Sequence, residues 1–190
     1  MKQRNKAAFI DRDGNLIRET GYLDSVNKVR LYSRSIKALK LLKDRGYKVI
    51  VVTNQSGVAR GYITEAFVKS VHEHIDGLLK KHGLKIDGYY YCPHHAKKAV
   101  IKKYLVDCDC RKPKLGMIKA AQKKFGIDLK ESFMIGDKLT DVHMGKNAKM
   151  RTALVMTGYG EKEKLLIKEA YDKPDVVAKD FYQAVRLLLK

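Results

Sequence analysis

The residues that could do chemistry lie directly after short apolar runs. Asp11 and Asp13 follow the first run two positions apart, so both carboxylates can point the same way. Asp137 follows a later run, and a third polar cluster, Thr53–Gly57, follows another. Gathered carboxylates repel each other unless a hard cation such as Mg²⁺ lies among them. One Asp-x-Asp-Gly would more often be a turn, but three such clusters favour a magnesium site.

The elements that must position these residues alternate along the chain. Short runs rich in branched and aromatic residues separate helical patterns, which is typical of βαβ units. We expect an α/β fold, a three-layer Rossmann-like domain with a central, mostly parallel sheet. Because the carboxyl ends of parallel strands share one edge, the polar clusters should meet there. The predicted strands are 7–10, 49–52, 89–91, 132–135, 152–156 and 176–177, and the predicted helices are 36–42, 64–83, 113–126 and 180–189.

The composition limits the possible functions but does not select one of them. The chain has 190 residues with 40 Lys plus Arg against 21 Asp plus Glu, a formal net charge of +19. This excess permits nucleic acid, acidic membranes or small anions as partners. Lys is scattered along all predicted helices, whereas nucleic-acid sites cluster Arg with exposed aromatic residues, so we expect no nucleic-acid partner.

The same sequence predicts a single domain over residues 1–190, without repeats or an interdomain linker. No apolar run approaches the roughly 18 residues of a membrane span, and the first residues lack the apolar stretch of a secretory signal. We therefore expect no membrane association, a cytoplasmic location and, by default, a monomer.

The motifs in their order resemble the haloacid dehalogenase superfamily of phosphohydrolases. Asp11–Gly14, Thr53, Lys112 and Gly136–Asp141 stand for its four motifs. Asn15 departs from the superfamily, which more often has Thr there. Finer motifs look like the heptose 1,7-bisphosphate phosphatases of that superfamily, and the resemblance covers about residues 6 to 160. These finer motifs are Val51–Gly61, Tyr90–His95, Cys108–Pro113 and Gly136–Lys138.

The resemblance implies a Mg²⁺-dependent phosphatase that removes the C7 phosphate of a small sugar bisphosphate through an aspartyl-phosphate. Asp11 would be the nucleophile and Asp13 the general acid and base, and Thr53 and Lys112 would stabilise the transferring phosphoryl group. Mg²⁺ would be held by Asp11, the backbone carbonyl of Asp13, and Asp137. For Asp141 we leave open a supporting role at the site, a helix N-cap or a salt bridge. The implied substrate contacts are Glu19, Thr20, Gly21, Tyr22, Asn54, Gln55, Ser56, Arg111 and Lys138.

The segment 92–112 has no clear period and holds all three cysteines. Cys92, His94, Cys108 and Cys110 supply three thiolates and an imidazole, a closed tetrahedral set for a structural Zn²⁺. We therefore expect a zinc-binding loop at 92–110 that positions the adjacent Lys112. His95 is the competing imidazole, and a Cys108/Cys110 redox pair is the competing interpretation.

Other functions remain open at this point. A sister enzyme of the same superfamily hydrolyses histidinol phosphate and shares the aspartate pair and the metal loop. Other members remove 3′-phosphates from nucleic acid ends, and a non-catalytic binding protein could keep the fold. The absence of a large insertion after the first motif implies that no large cap domain covers the site. The sequence does not decide between the α and β anomers of a heptose bisphosphate, which belong to different routes to nucleotide-activated heptose.

Overall fold

Six parallel strands form one open sheet in the computed structural model, which describes residues 5–190. The strand order is β3-β2-β1-β4-β5-β6, and every neighbouring pair is parallel. The expected parallel sheet is therefore confirmed. The strands are β1 Ala7–Ile10, β2 Lys48–Asn54, β3 Gly88–Cys92, β4 Phe133–Gly136, β5 Arg151–Val155 and β6 Val176–Ala178.

The helices of this same part of the chain are α1 Ser35–Asp44, α2 Glu65–Lys80, α3 Gly116–Phe125, α4 Leu139–Asn147, α5 Gly160–Lys164 and α6 Phe181–Leu188. Two short 3₁₀ helices cover Val26–Lys28 and Lys102–Tyr104. The start of α2 and the end of α3 have specific capping features. Thr64 accepts a hydrogen bond from the Phe67 amide at 3.1 Å, and Gly126 ends α3 with φ +62°.

The predicted start of the third helix at Pro113 is wrong. Residues 109–116 instead form a turn, in which the Gly116 amide donates to the Asp109 carbonyl at 2.8 Å and the Lys114 amide donates to Arg111 at 2.9 Å. The helix therefore begins at Gly116, and the turn leaves the Lys112 side chain free to enter the site.

Helices cover both faces of the sheet, because alternate residues of each strand point to opposite faces. On β1, Ala8 and Ile10 pack with residues of α1, α2 and α6, whereas Ala7 and Phe9 pack with α3 and α4. All four β1 side chains are completely buried. This is the three-layer arrangement that the sequence predicts.

The strand order reverses at β1, whose neighbours are β2 and β4. A crevice opens at such a switch point, outside the carboxyl ends of the strands. No helix in residues 5–190 has the length and apolar character of a membrane span. The predicted domain of 1–190 includes residues 1–4, which lie outside the described residues, so its full extent stays a prediction.

Candidate active site

Asp11 lies at the end of β1, on the floor of the crevice. Its backbone amide continues the β1–β4 pairing by donating to the Ile135 carbonyl at 2.9 Å, and its side chain is almost fully buried. One carboxylate oxygen, Oδ1, accepts the Arg12 amide at 2.7 Å. The sheet therefore fixes the direction of this carboxylate.

Lys112 reaches Asp11 from the turn before α3. Its Nζ lies 2.9 Å from Asp11 Oδ2 and 2.6 Å from Asp141 Oδ1, and it donates to the Val52 carbonyl at 3.1 Å. Burial alone would lower the pKa of Lys112, but the carboxylates of Asp11 and Asp141 raise it overall. Lys112 is therefore a buried cation held between two carboxylates.

Asn54, at the end of β2, positions the main chain of Lys112. Its Oδ1 accepts the Lys112 amide at 3.0 Å, and its Nδ2 donates to the Lys112 carbonyl at 3.4 Å. Asn54 also lines the cleft. Asn54, which is predicted to contact the substrate, therefore also holds the backbone of Lys112 in place.

Asp137 completes a group of three carboxylates with Asp11 and Asp141, whose oxygens lie within 4.8 Å of one another. Burial, and then the charge of Asp11, raise the pKa of Asp137 to about 8. Its Oδ2 accepts the Tyr159 amide at 2.8 Å, while its buried Oδ1 has no hydrogen-bond partner among the described residues.

This donor set fits a hard divalent cation. Buried carboxylates outnumber the buried ammonium beside them. Asp137 Oδ1, which accepts no hydrogen bond within residues 5–190 and lies 3.8 Å from Lys138 Nζ, is the ligand type that Mg²⁺ prefers. Gly14 allows the close approach of the backbone, because a Cβ there would lie 2.1 Å from Asp137 Oδ2. The position of Asp137 thus depends on a glycine in the first motif.

Asp141 has two structural partners, the Lys112 ammonium and the backbone amide of Lys138. Besides the Lys112 contact, its Oδ2 accepts the Lys138 amide at 3.1 Å at the start of α4. The N-cap of α4 is Lys138, and Asp141 accepts its amide from the third position of the helix, so Asp141 supports the helix start and also pairs with Lys112. Burial raises the pKa of Asp141 to about 6, although Lys112 opposes this shift.

Asp13 stands beside Asp11 and is more exposed. Its carboxylate accepts hydrogen bonds from Arg12 Nε at 3.1 and 3.3 Å, from Arg12 Nη2 at 3.1 Å and from Gln55 Nε2 at 2.8 Å. The Gln55 amide also donates to Thr53 Oγ1 at 2.8 Å. Gln55 therefore links the polar clusters that follow β1 and β2.

Above these groups lies a cleft of about 240 Å³. Most of the predicted substrate contacts line it, namely Glu19, Gly21, Tyr22, Asn54, Gln55, Ser56 and Lys138. Thr20 and Arg111 are not among its lining residues. Arg111 instead donates through Nη1 to the His94 carbonyl at 3.1 Å, which directs its guanidinium to the 92–110 loop.

Sequence reasoning missed Arg12, Ile63, Thr140 and Tyr159, which also line the cleft. Tyr159 follows β5 at the same sheet edge, and this position was the available signal. Its ring lies 4.5 Å from Lys138 Nζ. Burial lowers the pKa of Lys138, but the charges of Asp11 and Asp137 raise it overall.

A second candidate metal centre lies in the 92–110 loop. Donor atoms of Cys92, His94, Cys108 and Cys110 lie within 4.8 Å of one another, and the cysteines form no disulfide in the described chain. Adjacent Sγ atoms are 3.2 and 3.4 Å apart, and His94 Nδ1 lies 3.3 Å from Cys110 Sγ. Tetrahedral zinc with bonds of about 2.3 Å to sulfur has edges of roughly 3.8 Å. The sulfur–sulfur distances are shorter than these edges, so the four donors are gathered as a zinc site requires and would move slightly apart around the ion.

His95 points away from this cluster. Its Nδ1 accepts the Lys97 and Lys98 amides at 3.2 and 3.1 Å. The loop also contacts the edge of the sheet at which the cleft lies, because the backbone amide of Gln55 donates to the Cys92 carbonyl at 2.8 Å. The geometry therefore groups His94, and not His95, with the cysteines.

Comparisons relate the chain to known phosphatases. Residues 109–184 match the family model described as HAD-hydrolase-like. The chain is 47% identical over 154 residues to the D-glycero-beta-D-manno-heptose-1,7-bisphosphate 7-phosphatase of Pasteurella multocida, covering 80% of this chain and 83% of that protein. It is 40% identical over 159 residues to the D-glycero-alpha-D-manno-heptose-1,7-bisphosphate 7-phosphatase of Photorhabdus laumondii, covering 83% and 86%. The crystal structure of D,D-heptose 1,7-bisphosphate phosphatase from B. bronchiseptica, complexed with magnesium and phosphate, has a TM-score of 0.84 and 27% identity, covering 97% of this chain and 98% of that one.

Proposed function

The chain belongs to the heptose 1,7-bisphosphate 7-phosphatases among the haloacid dehalogenase-like hydrolases, and we propose that it removes the C7 phosphate of D-glycero-D-manno-heptose 1,7-bisphosphate. The observation that carries this proposal is the Asp11 carboxylate, ion-paired to Lys112 on the floor of a small cleft. A fixed carboxylate beside a buried cation is suited to attack on a phosphate ester.

The first difficulty of the reaction is electrostatic, because a phosphate monoester dianion repels an attacking anion. Lys112 and Lys138 supply positive charge at the cleft floor and rim. Asp11, Asp137 and the backbone carbonyl of Asp13 would hold Mg²⁺. When bound, Mg²⁺ would supply further positive charge toward the phosphoryl oxygens.

We assign the chemical steps to the two aspartates of the first motif. An oxygen of Asp11 forms a bond to phosphorus while the bond from phosphorus to the C7 oxygen breaks. Protonated Asp13 gives its proton to that leaving oxygen, which becomes the sugar hydroxyl. Asp13, now a carboxylate, takes a proton from water, whose oxygen displaces Asp11 from phosphorus and releases inorganic phosphate.

The surrounding side chains would bind the substrate. Thr53 Oγ1 and the Asn54 amide would donate hydrogen bonds to the phosphoryl oxygens. The proposed contacts to the sugar and its second phosphate are Glu19, Thr20, Gly21, Tyr22, Asn54, Gln55, Ser56, Arg111 and Lys138. Arg111 suits an anion because its planar fork can bind two oxygens, although such contact requires it to turn from the His94 carbonyl.

The four residues Cys92, His94, Cys108 and Cys110 would hold a structural Zn²⁺. All four positions would be filled by protein, so none is left for a reacting water. The branched apolar side chains of the loop, those of Val100, Ile101, Leu105 and Val106, are exposed, so a metal would fix the loop where burial does not. Because Cys110 precedes Arg111 and Lys112, this site would also set the position of the catalytic lysine.

We further propose a cytoplasmic, monomeric enzyme in nucleotide-activated heptose biosynthesis, including the route to lipopolysaccharide, with no nucleic-acid or membrane partner. The reported relatives are named for both anomers, so the anomer remains to be measured. A histidinol-phosphate phosphatase is the competing function, and a nucleic-acid 3′-phosphatase is a more distant one.

A phosphate-release panel tests this proposal. It compares the α and β anomers of heptose 1,7-bisphosphate, histidinol phosphate and a 3′-phosphorylated oligonucleotide at equal Mg²⁺. We expect the highest kcat/KM with one heptose anomer, and the preferred anomer assigns the route. A higher kcat/KM with histidinol phosphate or with the oligonucleotide would replace the proposed substrate.

A further inference from the structure

Arg12 is a buried charge that the mechanism above does not use. Its side chain is 2% exposed and lies between the two catalytic aspartates in sequence. Nε and Nη2 both donate to the Asp13 carboxylate, and Nη1 lies 3.3 Å from His72 Nε2. All three guanidinium nitrogens are therefore engaged, two with Asp13 and one with α2.

The Arg12–His72 contact fixes the protonation of the imidazole. Arg12 is always charged and can only donate, so Nε2 of His72 must be the acceptor and the ring must be neutral. Burial, and then the charge of Arg12, lower the pKa of His72 to about 3. The ring stacks on Tyr89 with centroids 4.3 Å apart, and the Tyr89 hydroxyl donates to Asp76 at 2.8 Å. The acceptor is thus held rigidly by α2 and β3.

We propose that Arg12 is a positioning residue for Asp13, and that neutral His72 holds the Arg12 guanidinium in place. The inference rests on the proposed function, because it gives Asp13 the task of proton transfer. In the ionised form of Asp13 the planar guanidinium contacts both carboxylate oxygens and so fixes the plane of the side chain. In the protonated form one oxygen carries the proton for the leaving group, and the other oxygen still accepts from Arg12. Without it, Gln55 alone would hold a side chain that borders an open cleft.

The leaving group tests this role directly. An alkoxide leaving from C7 needs the proton of Asp13, whereas p-nitrophenolate leaves without one. A misplaced Asp13 should therefore slow the first turnover of the sugar ester, measured by rapid quench, far more than the first-turnover burst of p-nitrophenolate. Steady-state rates do not separate the two esters, because hydrolysis of the aspartyl-phosphate needs Asp13 as a base with either one. A merely structural defect would slow both esters by the same factor.

The experiment compares Arg12→Met, Arg12→Lys and the paired variants His72→Phe and His72→Gln on both esters at saturating Mg²⁺. Phe keeps a ring on Tyr89 but lacks an acceptor, while Gln keeps an acceptor oxygen. Arg34→Met is the matched control. Arg34 Nη1 lies 2.8 Å from the carboxylate of Asp180, and neither residue lines the cleft. Urea unfolding of every variant gives its folded fraction, and rates are expressed per folded enzyme.

We expect kcat on the heptose bisphosphate to fall about 10- to 100-fold in Arg12→Met, with KM changed less than about twofold. His72→Phe should follow it, His72→Gln should recover most of the rate, and Arg12→Lys should not, because an ammonium cannot form the fork. The loss in the burst rate of p-nitrophenolate should stay below about threefold.

Equal losses in the first turnover of the two esters, a change confined to KM, or equal rates for His72→Phe and His72→Gln would overturn the proposal. Failure of the proposed function gives a distinct result, because the wild-type enzyme then releases no phosphate from the heptose bisphosphate. The same variants are in that case compared on whichever alkyl phosphate the wild-type enzyme hydrolyses.

Discussion

The ammonium of Lys112 lies 2.9 Å from the Asp11 carboxylate, and both side chains are about 95% buried or more. A buried pair of this kind is costly to desolvate and is retained where its geometry matters. Here the geometry depends on two separate parts of the chain, because Asn54 holds the Lys112 backbone and the 92–110 loop leads directly into it. The floor of the cleft is therefore built jointly by β1, the end of β2 and the Cys/His loop.

Removing the charge of the proposed nucleophile should abolish the reaction. In Asp11→Asn the amide cannot form the aspartyl-phosphate, so phosphate release should fall at least about 10³-fold. Release is measured with the heptose bisphosphate at saturating Mg²⁺, and circular dichroism checks the fold. Asp44→Asn, an exposed aspartate at the end of α1, is the matched control and should keep wild-type activity. Turnover of Asp11→Asn near the control rate would contradict the nucleophile assignment.

Much of the fold follows from local patterns in the sequence. The predicted strands lie within one or two residues of the observed ones, because continuous branched and aromatic runs between helical periods are a strong signal. The start of α3 was misplaced because proline is compatible with a helix start, whereas hydrogen bonds within residues 109–116 decide for a turn. The hydrogen bond between the Gly116 amide and the Asp109 carbonyl depends on the folded path of the chain between them, which the pattern of residue types does not predict.

The site was predictable where residues follow strands, and less so where long-range contacts decide. Asp11, Thr53 and Asp137 meet because parallel strands end at one edge. Arg12 was missed because its acceptor, His72, is distant in sequence and lies on a helix face that also fits ordinary packing. The choice of His94 over His95 likewise depends on a local backbone turn that the order of residues does not reveal.

Lys112 should support both stability and catalysis. In Lys112→Met the carboxylates of Asp11 and Asp141 lose their shared cation, so the free energy of unfolding should fall by about 3–5 kcal/mol. Urea unfolding in the presence of a chelator for Mg²⁺ measures this change. Lys114→Met is the matched control, because Lys114 forms an exposed pair with Asp107 and its loss should leave the stability nearly unchanged. Equal stability of the two variants would contradict a structural role for the Lys112 pair.

Asp141 should act through Lys112. In Asp141→Asn the lysine keeps Asp11 but loses its second carboxylate, so kcat should fall about 10- to 100-fold while Asp11 remains competent. Steady-state kinetics with the heptose bisphosphate measure kcat and KM separately. Loss of α4 in circular dichroism would show that the helix-cap contact to Lys138 dominates instead, and an unchanged kcat would exclude the positioning role.

Zinc content should distinguish the two neighbouring histidines. His94→Ala removes one of four donors, whereas His95→Ala removes a side chain that accepts backbone amides outside the cluster. Elemental analysis should find about one zinc per chain in wild type and His95→Ala, and a strongly reduced content in His94→Ala. The His94 variant should also unfold at lower urea, because metal binding contributes to folding. Absence of zinc from active, fully reduced wild-type protein would remove the zinc assignment, and its loss only from His95→Ala would exchange the two histidines.

His72 should make stability fall in acid. In the unfolded chain its pKa is near 6.5, whereas burial and the charge of Arg12 lower the folded pKa to about 3. Between these values the unfolded state binds one more proton, so stability is complete above about pH 6.5 and falls by about 1.4 kcal/mol per pH unit below it. The groups that face the ring are Arg12, Tyr89 and Tyr91, and none offers it a carboxylate. His72→Gln cannot take up this proton, so between about pH 7.5 and pH 5 wild type should lose about 2 kcal/mol more than the variant in urea unfolding. Both proteins keep the same Cys/His loop, so metal release in acid affects both and cancels in the difference.

Parallel curves of stability against pH for the two proteins would contradict this prediction. They would show that folded His72 takes up a proton over the same pH range as unfolded His72, and that Arg12 has another partner.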